Sequence, residues 1–300
     1  MIEISKVSKY IQFNLDKLGI YRMDDKEYLK ILYEIVMGKR LELDNPQTFN
    51  EKLQWLKLYD RNDEYTKMVD KYEVKKYVED KIGKQYIIPT LGVWDRFEDI
   101  DFDKLPNKFV LKCTHDSGGV VICKDKNLFD RKLAQKKINK NLKENFFWQS
   151  REWPYKNVKP RIIAEEFLEN KSKEEIVDYK YYCFDGKPKV LDVCSNRSKK
   201  LNESYFDCDW NKIDVTEGGS ERDDNLKKPE NLELMNEIAA KLSTGIPTAR
   251  IDLYNIDGKI YFSEITLYSA GGFEKFTPEE FDLKLGKYID ISKVKPKSVC

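Results

Sequence analysis

The chain has 300 residues, enough for one large or two modest domains with a sizeable core. Charged residues reach 36%, but 54 Lys and Arg against 53 Asp and Glu leave a net charge of +1, which argues against a nucleic-acid protein held by bulk charge. Hydrophobic residues make up 40%, with 15 Phe and 18 Tyr, which excludes a disordered chain.

The opening MIEISKVSKYIQF has no apolar core of signal-peptide length, and no run approaches a membrane span. Six cysteines without C-x-x-C spacing argue against zinc and read as reduced, buried thiols. A soluble cytoplasmic protein is expected. Residues 1–62 read as a helical N-terminal region that serves as a scaffold or partner-contacting unit. Tyr28, Leu29, Leu32, Tyr33, Ile35 and Val36 recur at helical spacing after Asp24-Asp25, and Gly38 closes the run. Thr48-Phe49-Asn50-Glu51 has the pattern of a capping box and opens a helix with Leu53, Leu56 and Tyr59 on one side. Residues 63–82 predict a further helix ended by Gly83, followed by a short Pro-containing strand, QYIIPTLGV.

Phe109–Lys124, FVLKCTHDSGGVVICK, reads as a strand carrying Lys112, a turn from His115 to Gly119, and a returning strand. A glycine-rich tip lets the backbone N–H groups of Ser117, Gly118 and Gly119 approach phosphate oxygens, and Lys112 supplies a point charge. The alternative is an ordinary flexible turn. His115, the one histidine, has no identifiable catalytic partner and stays outside the catalytic set. Leu128–Asn145 predicts a basic amphipathic helix. Phe146–Lys159, aromatic and basic, is either a stacking surface for a sugar or base or a loop packed on the core. A strand, RIIAEEFLE, follows. Asp178–Phe184, the turn Asp185-Gly186 and Lys189–Val193 form a hairpin on which Lys180 points the same way as Asp178 and Tyr182. Ser204–Thr216 is mixed strand and turn, and a helix is expected from Pro229 to Leu242 with Gly245 at its end.

Thr248–Thr266, TARIDLYNIDGKIYFSEIT, reads as a hairpin with one carboxylate on each arm, Asp252 and Glu264. A two-residue loop at Asp257-Gly258 puts these acids on opposite faces. A three-residue loop, Ile256-Asp257-Gly258, pairs Asn255 with Lys259 and puts Arg250, Asp252, Glu264 and Thr266 on one face. The three-residue loop is the expected one. Two carboxylates about 5 Å apart repel by roughly 3 kcal/mol at an effective dielectric of about 20, so they call for a cation or a shared proton. Oxygen ligands beside a hydroxyl and an Arg suit Mg²⁺ bridging phosphates. The loop SAGGFEKF, with Gly271 and Gly272, is flexible enough to touch a second substrate. Thr277-Pro278-Glu279-Glu280 is expected to cap a last helix running to about Leu285, before a basic tail at 291–300.

R-x-D, a hairpin, then E-x-T before a Gly-containing loop resembles the metal-binding end of the ATP-grasp ligases, with Thr266 standing where Asn is usual. The order of the other pieces resembles the family too, over roughly residues 45–285. The wording of TFNEKLQWLKLYDRN, GVWD, FVLKCTHDSGG, REWPYKN, KPRIIAEEFLE and GGFEKFTPEE is similar to the TupA-like branch, tied to teichuronopeptide and other cell-surface polysaccharide synthesis. The chain departs from that branch at Ser269-Ala270, which replaces a Pro-Gly. The resemblance implies an α+β fold, with two α+β lobes of antiparallel sheets clasping ATP behind the helical N-terminal region. The lobes would occupy 63–168 and 169–290. Lys71 and Lys112 would approach the nucleotide phosphates with Ser117, Gly118 and Gly119. Glu165, Glu166, Phe167 and Leu168 would form the hinge around adenine, with Asp178 and Lys180 just after it. Asp252, Glu264 and Thr266 would hold Mg²⁺, Arg250 with Lys112 would stabilise the transferring phosphoryl group, and Gly271 and Gly272 would meet the acceptor. The implied reaction is ADP-forming ligation of a carboxylate, a uronic acid of a surface glycan, to an amine such as an amino acid. The rival classes are a nucleotide-sugar glycosyltransferase, an ATP-using kinase and a non-enzymatic scaffold.

Overall fold

The structure, a computed structural model, describes residues 2–172, 175–197 and 199–296. Residues 297–300 of the basic tail, including Cys300, lie outside the described residues. The helices are α1 (Ile2–Lys17), α2 (Asp25–Met37), α3 (Phe49–Tyr59), α4 (Asp63–Val69), α5 (Val74–Ile82), α6 (Arg131–Asn141), α7 (Phe147–Ser150), α8 (Leu232–Ser243) and α9 (Glu280–Gly286). The strands are β1 (Thr90–Trp94), β2 (Phe109–Cys113), β3 (Val120–Cys123), β4 (Ile162–Glu166), β5 (Asp178–Phe184), β6 (Lys187–Ser195), β7 (Asn202–Phe206), β8 (Lys212–Ile213), β9 (Thr216–Glu217), β10 (Ala249–Ile256), β11 (Lys259–Thr266) and β12 (Phe276–Thr277). No described helix is long and apolar enough to cross a membrane.

Two antiparallel sheets dominate. The smaller runs β1-β4-β2-β3 and the larger β11-β10-β5-β6-β7-β8, while β9 and β12 pair as a short ribbon. Beside the smaller sheet, Phe109, Leu111 and Cys113 pack with Ala134 and Ile138 of α6 in one cluster. The core of the larger sheet joins Tyr181, Leu191, Val193, Ile251 and Leu253 to Met235, Ile238 and Leu242 of α8, and it also takes Val74 and Val78 of α5. Burying each such side chain contributes about 1.5–3 kcal/mol. Phe13, Tyr28, Leu29 and Tyr33 build a third cluster between the N-terminal helices.

Local chemistry explains where the elements stop. The Thr48 side chain accepts from the Glu51 N–H and Glu51 reaches back, so the capping box at α3 forms as its sequence suggests. Gly38 ends α2 in a left-handed conformation at φ 72°. The single helix expected over 63–82 is instead two. Asp70 accepts from the N–H groups of Tyr72 and Glu73 at 2.8 and 3.2 Å, a local bond that competes with helix continuation. The basic helix expected over Leu128–Asn145 is shorter, because the Asp130 side chain caps it at the Leu133 N–H. The helix expected from Pro229 begins at Leu232. Thr277 does not cap the last helix: it pairs with Thr216 in the β9–β12 ribbon, and α9 starts at Glu280.

The β10–β11 hairpin corrects the expected loop. Ile256 pairs with Lys259, leaving a two-residue turn whose Asp257 and Gly258 both take positive φ, 51° and 82°. Leu253 pairs with Phe262, yet Asp252 pairs with Glu264, so Ser263 is an extra residue forming a bulge. The bulge restores what the short loop alone would forbid. Asp252 faces Glu264 and Arg250 faces Thr266, while Phe262 and Ile265 stay buried on the core side.

Candidate active site

One face of the larger sheet is lined with polar groups in register. Glu264, Asp252, Lys180 and Asp192 form a row across four strands, and Thr266, Arg250 and Tyr182 form a neighbouring one. Arg250 is half-buried and holds Asp252 in a two-pronged pair, Nε to Oδ1 and Nη2 to Oδ2, each at 2.8 Å. Its Nη1 donates to Ser269 Oγ at 2.8 Å and its Nη2 to Thr266 Oγ1 at 3.3 Å. Burial works against the guanidinium charge, but Asp252 more than compensates and keeps it firmly protonated. The carboxylate of Glu264, half-buried opposite Asp252, forms no hydrogen bond or ion pair among the described residues.

Lys112 projects from β2 of the smaller sheet toward this face, near enough for the Glu264 carboxylate to favour its charge. It pairs with Glu165 Oε2 at 2.6 Å, while Lys75 of α5 pairs with Glu165 Oε1 at 2.5 Å. Burial tends to raise the Glu165 carboxyl, but the two ammonium groups bring it below the usual carboxylate range. Burial pushes Lys75 below the ordinary lysine range against the pull of Glu165, and in Lys112 that pull wins. Lys71, Lys75, Lys112 and Glu165 line a small pocket together with Ile87, Ile88, Phe262 and Ser263.

The expected hinge is therefore different in its parts. Glu165 is the counter-ion of two lysines and not a free acceptor for an adenine amino group. The Glu166 N–H donates to Pro89 O at 3.1 Å, its side chain is exposed, and Phe167 and Leu168 follow half-buried as the chain leaves β4. Lys71 lines the pocket, with its ammonium on the Asp116 carbonyl. At the glycine-rich tip Ser117 and Gly118 are exposed, and a Cβ on Gly118 would meet nothing within 4 Å. Gly119 is not available to phosphate, since its N–H donates to Asp116 Oδ2 at 3.0 Å. His115 is buried with Nε2 3.1 Å from the carbonyls of Asn141 and Glu144, a structural position.

Asp178 and Lys180 are also engaged. Arg197 donates to Asp178 at 2.5 Å, and burial together with Asp252 pushes the Asp178 carboxyl up to about 7. Lys180 lies 3.2 Å from Asp192 and 3.8 Å from Glu203. Asp192, Cys194 and Glu203 bring their ligand atoms within 4.8 Å of one another, and Lys180 already answers that charge.

The loop expected to be flexible is pinned. Gln54 of α3 donates to the carbonyls of Gly271 and Gly272 at 3.1 and 2.7 Å, and Lys57 to Gly271 O at 2.6 Å. Lys57 is fully buried, which pushes its pKa down to about 7 against the opposing charge of Glu152. Glu152 itself is raised by burial, and it feels Glu264 and Arg250. Ser269 donates to Glu274, whose Oε1 also accepts from Tyr182 at 2.7 Å. Burial and then Glu217 push Glu274 up to about 8. The Phe146–Lys159 segment packs on the core: Phe147 and Tyr155 are buried, and Arg151 pairs with Asp16 and Asp25 across the Tyr28 ring.

Sequence reasoning missed Lys75, Glu152, Ser269, Glu274 and the α3 polar side chains. Lys75 stands beside Lys76, which is exposed and pairs with Asp80, so composition does not separate them. Its one signal is its place on a short helix directly beside the buried Val74.

The donor set suits a hard divalent cation. Two carboxylates face each other across the hairpin, the Glu264 carboxylate has no hydrogen-bond or ion-pair partner among the described residues, and each Asp252 oxygen keeps a lone pair beyond its bond from Arg250. Thr266 fits less well, because Arg250 already engages its hydroxyl.

The family described as TupA-like ATPgrasp matches residues 51–290. No curated protein matches the chain. Solved structures that resemble it include the D-alanine–D-alanine ligase from Bacillus anthracis complexed with ATP. That likeness has 18% identity, covers 67% of this chain and 55% of that one, and has a TM-score of 0.40. The D-alanine–D-alanine ligase from Helicobacter pylori has 13% identity, 81% and 67% coverage, and a TM-score of 0.41. The ATP-grasp ligase PsnB complexed with minimal precursor, Mg and ADP has 9% identity, 72% and 57% coverage, and a TM-score of 0.39. The chain spans just over half the length of the first and third of these.

Proposed function

The chain belongs to the TupA-like ATP-grasp family, and on that premise we propose that it is an ATP-dependent carboxylate–amine ligase working through an acyl phosphate. The observation that carries this reading is the two-pronged Arg250–Asp252 pair with Glu264 facing Asp252 across the hairpin, while Lys112 of the smaller sheet is near enough for the Glu264 carboxylate to favour its charge. Lobes at 63–168 and 169–290 would clasp ATP there.

A carboxylate oxygen of the first substrate attacks the γ-phosphorus, the bond from that phosphorus to the β-bridging oxygen breaks, and ADP leaves. The amine nitrogen then attacks the acyl carbon, loses its proton and expels phosphate. Lys112 and Lys75 exchange Glu165 for phosphate oxygens, and Arg250, held by Asp252 and Ser269, meets the transferring group. A divalent cation, Mg²⁺ in this reading, would be held by Asp252 and Glu264 and would neutralise phosphate charge. The enzyme positions two substrates and needs no covalent intermediate of its own. Following the family branch, we assign the carboxylate to a uronic acid of a cell-surface polysaccharide, the amine to an amino acid, and the site of action to the cytoplasm.

The test is hydroxylamine trapping. ATP, Mg²⁺ and glucuronic acid without any amine should yield a hydroxamate and ADP. Release of AMP and pyrophosphate would replace the acyl phosphate by an acyl adenylate, and release of UDP from a sugar nucleotide would favour a glycosyltransferase.

A further inference from the structure

Helix α3 carries three buried polar residues at i, i+4 and i+7: Asn50, Gln54 and Lys57. A helix face turned into a core is ordinarily apolar, and a polar one must have every donor and acceptor met. Here each is met, and mostly by one short stretch of chain. Asn50 exchanges two bonds with the backbone of Glu274, both at 2.9 Å. Gln54 takes the carbonyls of Gly271 and Gly272. Lys57 uses all three ammonium protons, on Gly271 O at 2.6 Å, Ser150 O at 2.8 Å and Gln54 Oε1 at 3.0 Å.

The stretch they hold is an unfavourable one. Ala270, Gly271 and Gly272 are left-handed in succession, at φ 44°, 62° and 70°, and Ala270 adopts this with a side chain. Immediately before them stands Ser269, which accepts from Arg250 and donates to Glu274. A Cβ at Gly272 would lie 2.5 Å from Gln54 Nε2, so helix and turn are fitted at contact distance.

We propose that Gln54 and Lys57 are positioning residues: by holding the left-handed turn at 270–272 they keep Ser269 against Arg250 and fix where the guanidinium points. The proposal rests on the reading of Arg250 as a contact to the transferring phosphoryl group. Helix α3, which contributes no side chain to the cleft's polar rows, thus acts on the site through backbone carbonyls.

The experiment uses the full chain with Lys57→Met, Lys57→Arg, Gly272→Ala and Ser269→Ala. Hydrogen exchange at the amides of 269–274 should speed up by about tenfold or more in Lys57→Met and Gly272→Ala, and return toward wild type in Lys57→Arg. Calorimetric affinities for Mg·ATP and Mg·ADP should show the ATP preference falling by about tenfold in Lys57→Met and in Ser269→Ala. The double variant Lys57→Met/Ser269→Ala should lose no more than either alone, because both act through one contact. Unchanged exchange in both Lys57→Met and Gly272→Ala, or additive losses in the double variant, would overturn the proposal. Wild-type protein that yields no hydroxamate would remove the ligase reading, while exchange and nucleotide preference would still decide the clamp.

Discussion

Glu165→Gln separates two accounts of the nucleotide site. If Glu165 takes the adenine amino group, the isosteric amide weakens ATP binding and leaves the fold nearly untouched. In the structure Glu165 neutralises Lys112 and Lys75 at 2.6 and 2.5 Å, with side-chain exposures of only 6%, 17% and 14% in that order. Removing one charge from such a buried set costs about 3–5 kcal/mol. Burial already pushes Lys75 toward deprotonation, so it can shed its proton when the counter-charge goes, and the lower end of that range is expected. Against a typical native stability of about 5–15 kcal/mol this is a large fraction, on the order of 10 °C in melting temperature. ATP phosphates restore the missing negative charge. The variant should therefore melt well below wild type without ligand, and Mg·ATP should raise its melting temperature at least as far as it raises that of wild type. At about one hundred times Kd, binding adds about 2.7 kcal/mol. Scanning calorimetry with and without Mg·ATP decides the matter. A normal melting temperature with the ATP shift lost would refute the counter-ion account and return Glu165 to the adenine.

Three further outcomes are expected. Glu264→Gln should abolish Mg²⁺-dependent turnover with little change in melting temperature, because the Glu264 carboxylate has no hydrogen bond or ion pair among the described residues to lose; wild-type turnover would remove it from the metal site. Lys112→Ala should weaken ATP about ten- to a hundredfold and adenosine far less, as measured by titration, since a charge-assisted phosphate contact is worth about 1.5–3 kcal/mol. The third concerns pH: Glu274 is raised to about 8 from an ordinary 4.5, so between these values the native state keeps a proton that the unfolded chain has lost. Stability contributed by this group falls as pH rises through that window and levels off above it. In Glu274→Gln the melting temperature should decline less between pH 5 and pH 8, and an unaltered slope would mean that Glu274 titrates normally.

Much of this was legible in the sequence because it is local. Capping at Thr48, the Gly38 stop, the β2–β3 and β5–β6 hairpins and the R-x-D and E-x-T arms are written in neighbouring residues. The same-face placement of Asp252 and Glu264 was expected for the wrong reason: the loop has two residues and a bulge at Ser263 supplies the missing step. Bulges of this kind leave little trace, since serine is unremarkable in a strand. The partners of Glu165, Lys57 and Glu274 were not legible at all. They come from residues 90, 214 and 92 positions away, pairings that only the packed chain makes.

The bulge at Ser263 also sets how the hairpin can tolerate changes of length. With Ser263 present, seven residues from Arg250 to Ile256 are matched by eight from Lys259 to Thr266, so one position on the second arm is slack. Removing Ser263 would leave Glu264 opposite Asp252 in an unbroken ladder and cost the hydroxyl that borders the lysine pocket and its hydrogen bond with Tyr254. Removing Phe262 instead would draw Ser263 into the position opposite Leu253, on the core side. Single-residue deletions along this arm should therefore be harmless at one place and ruinous next to it, and a deletion scan would read out the position of the spare residue directly.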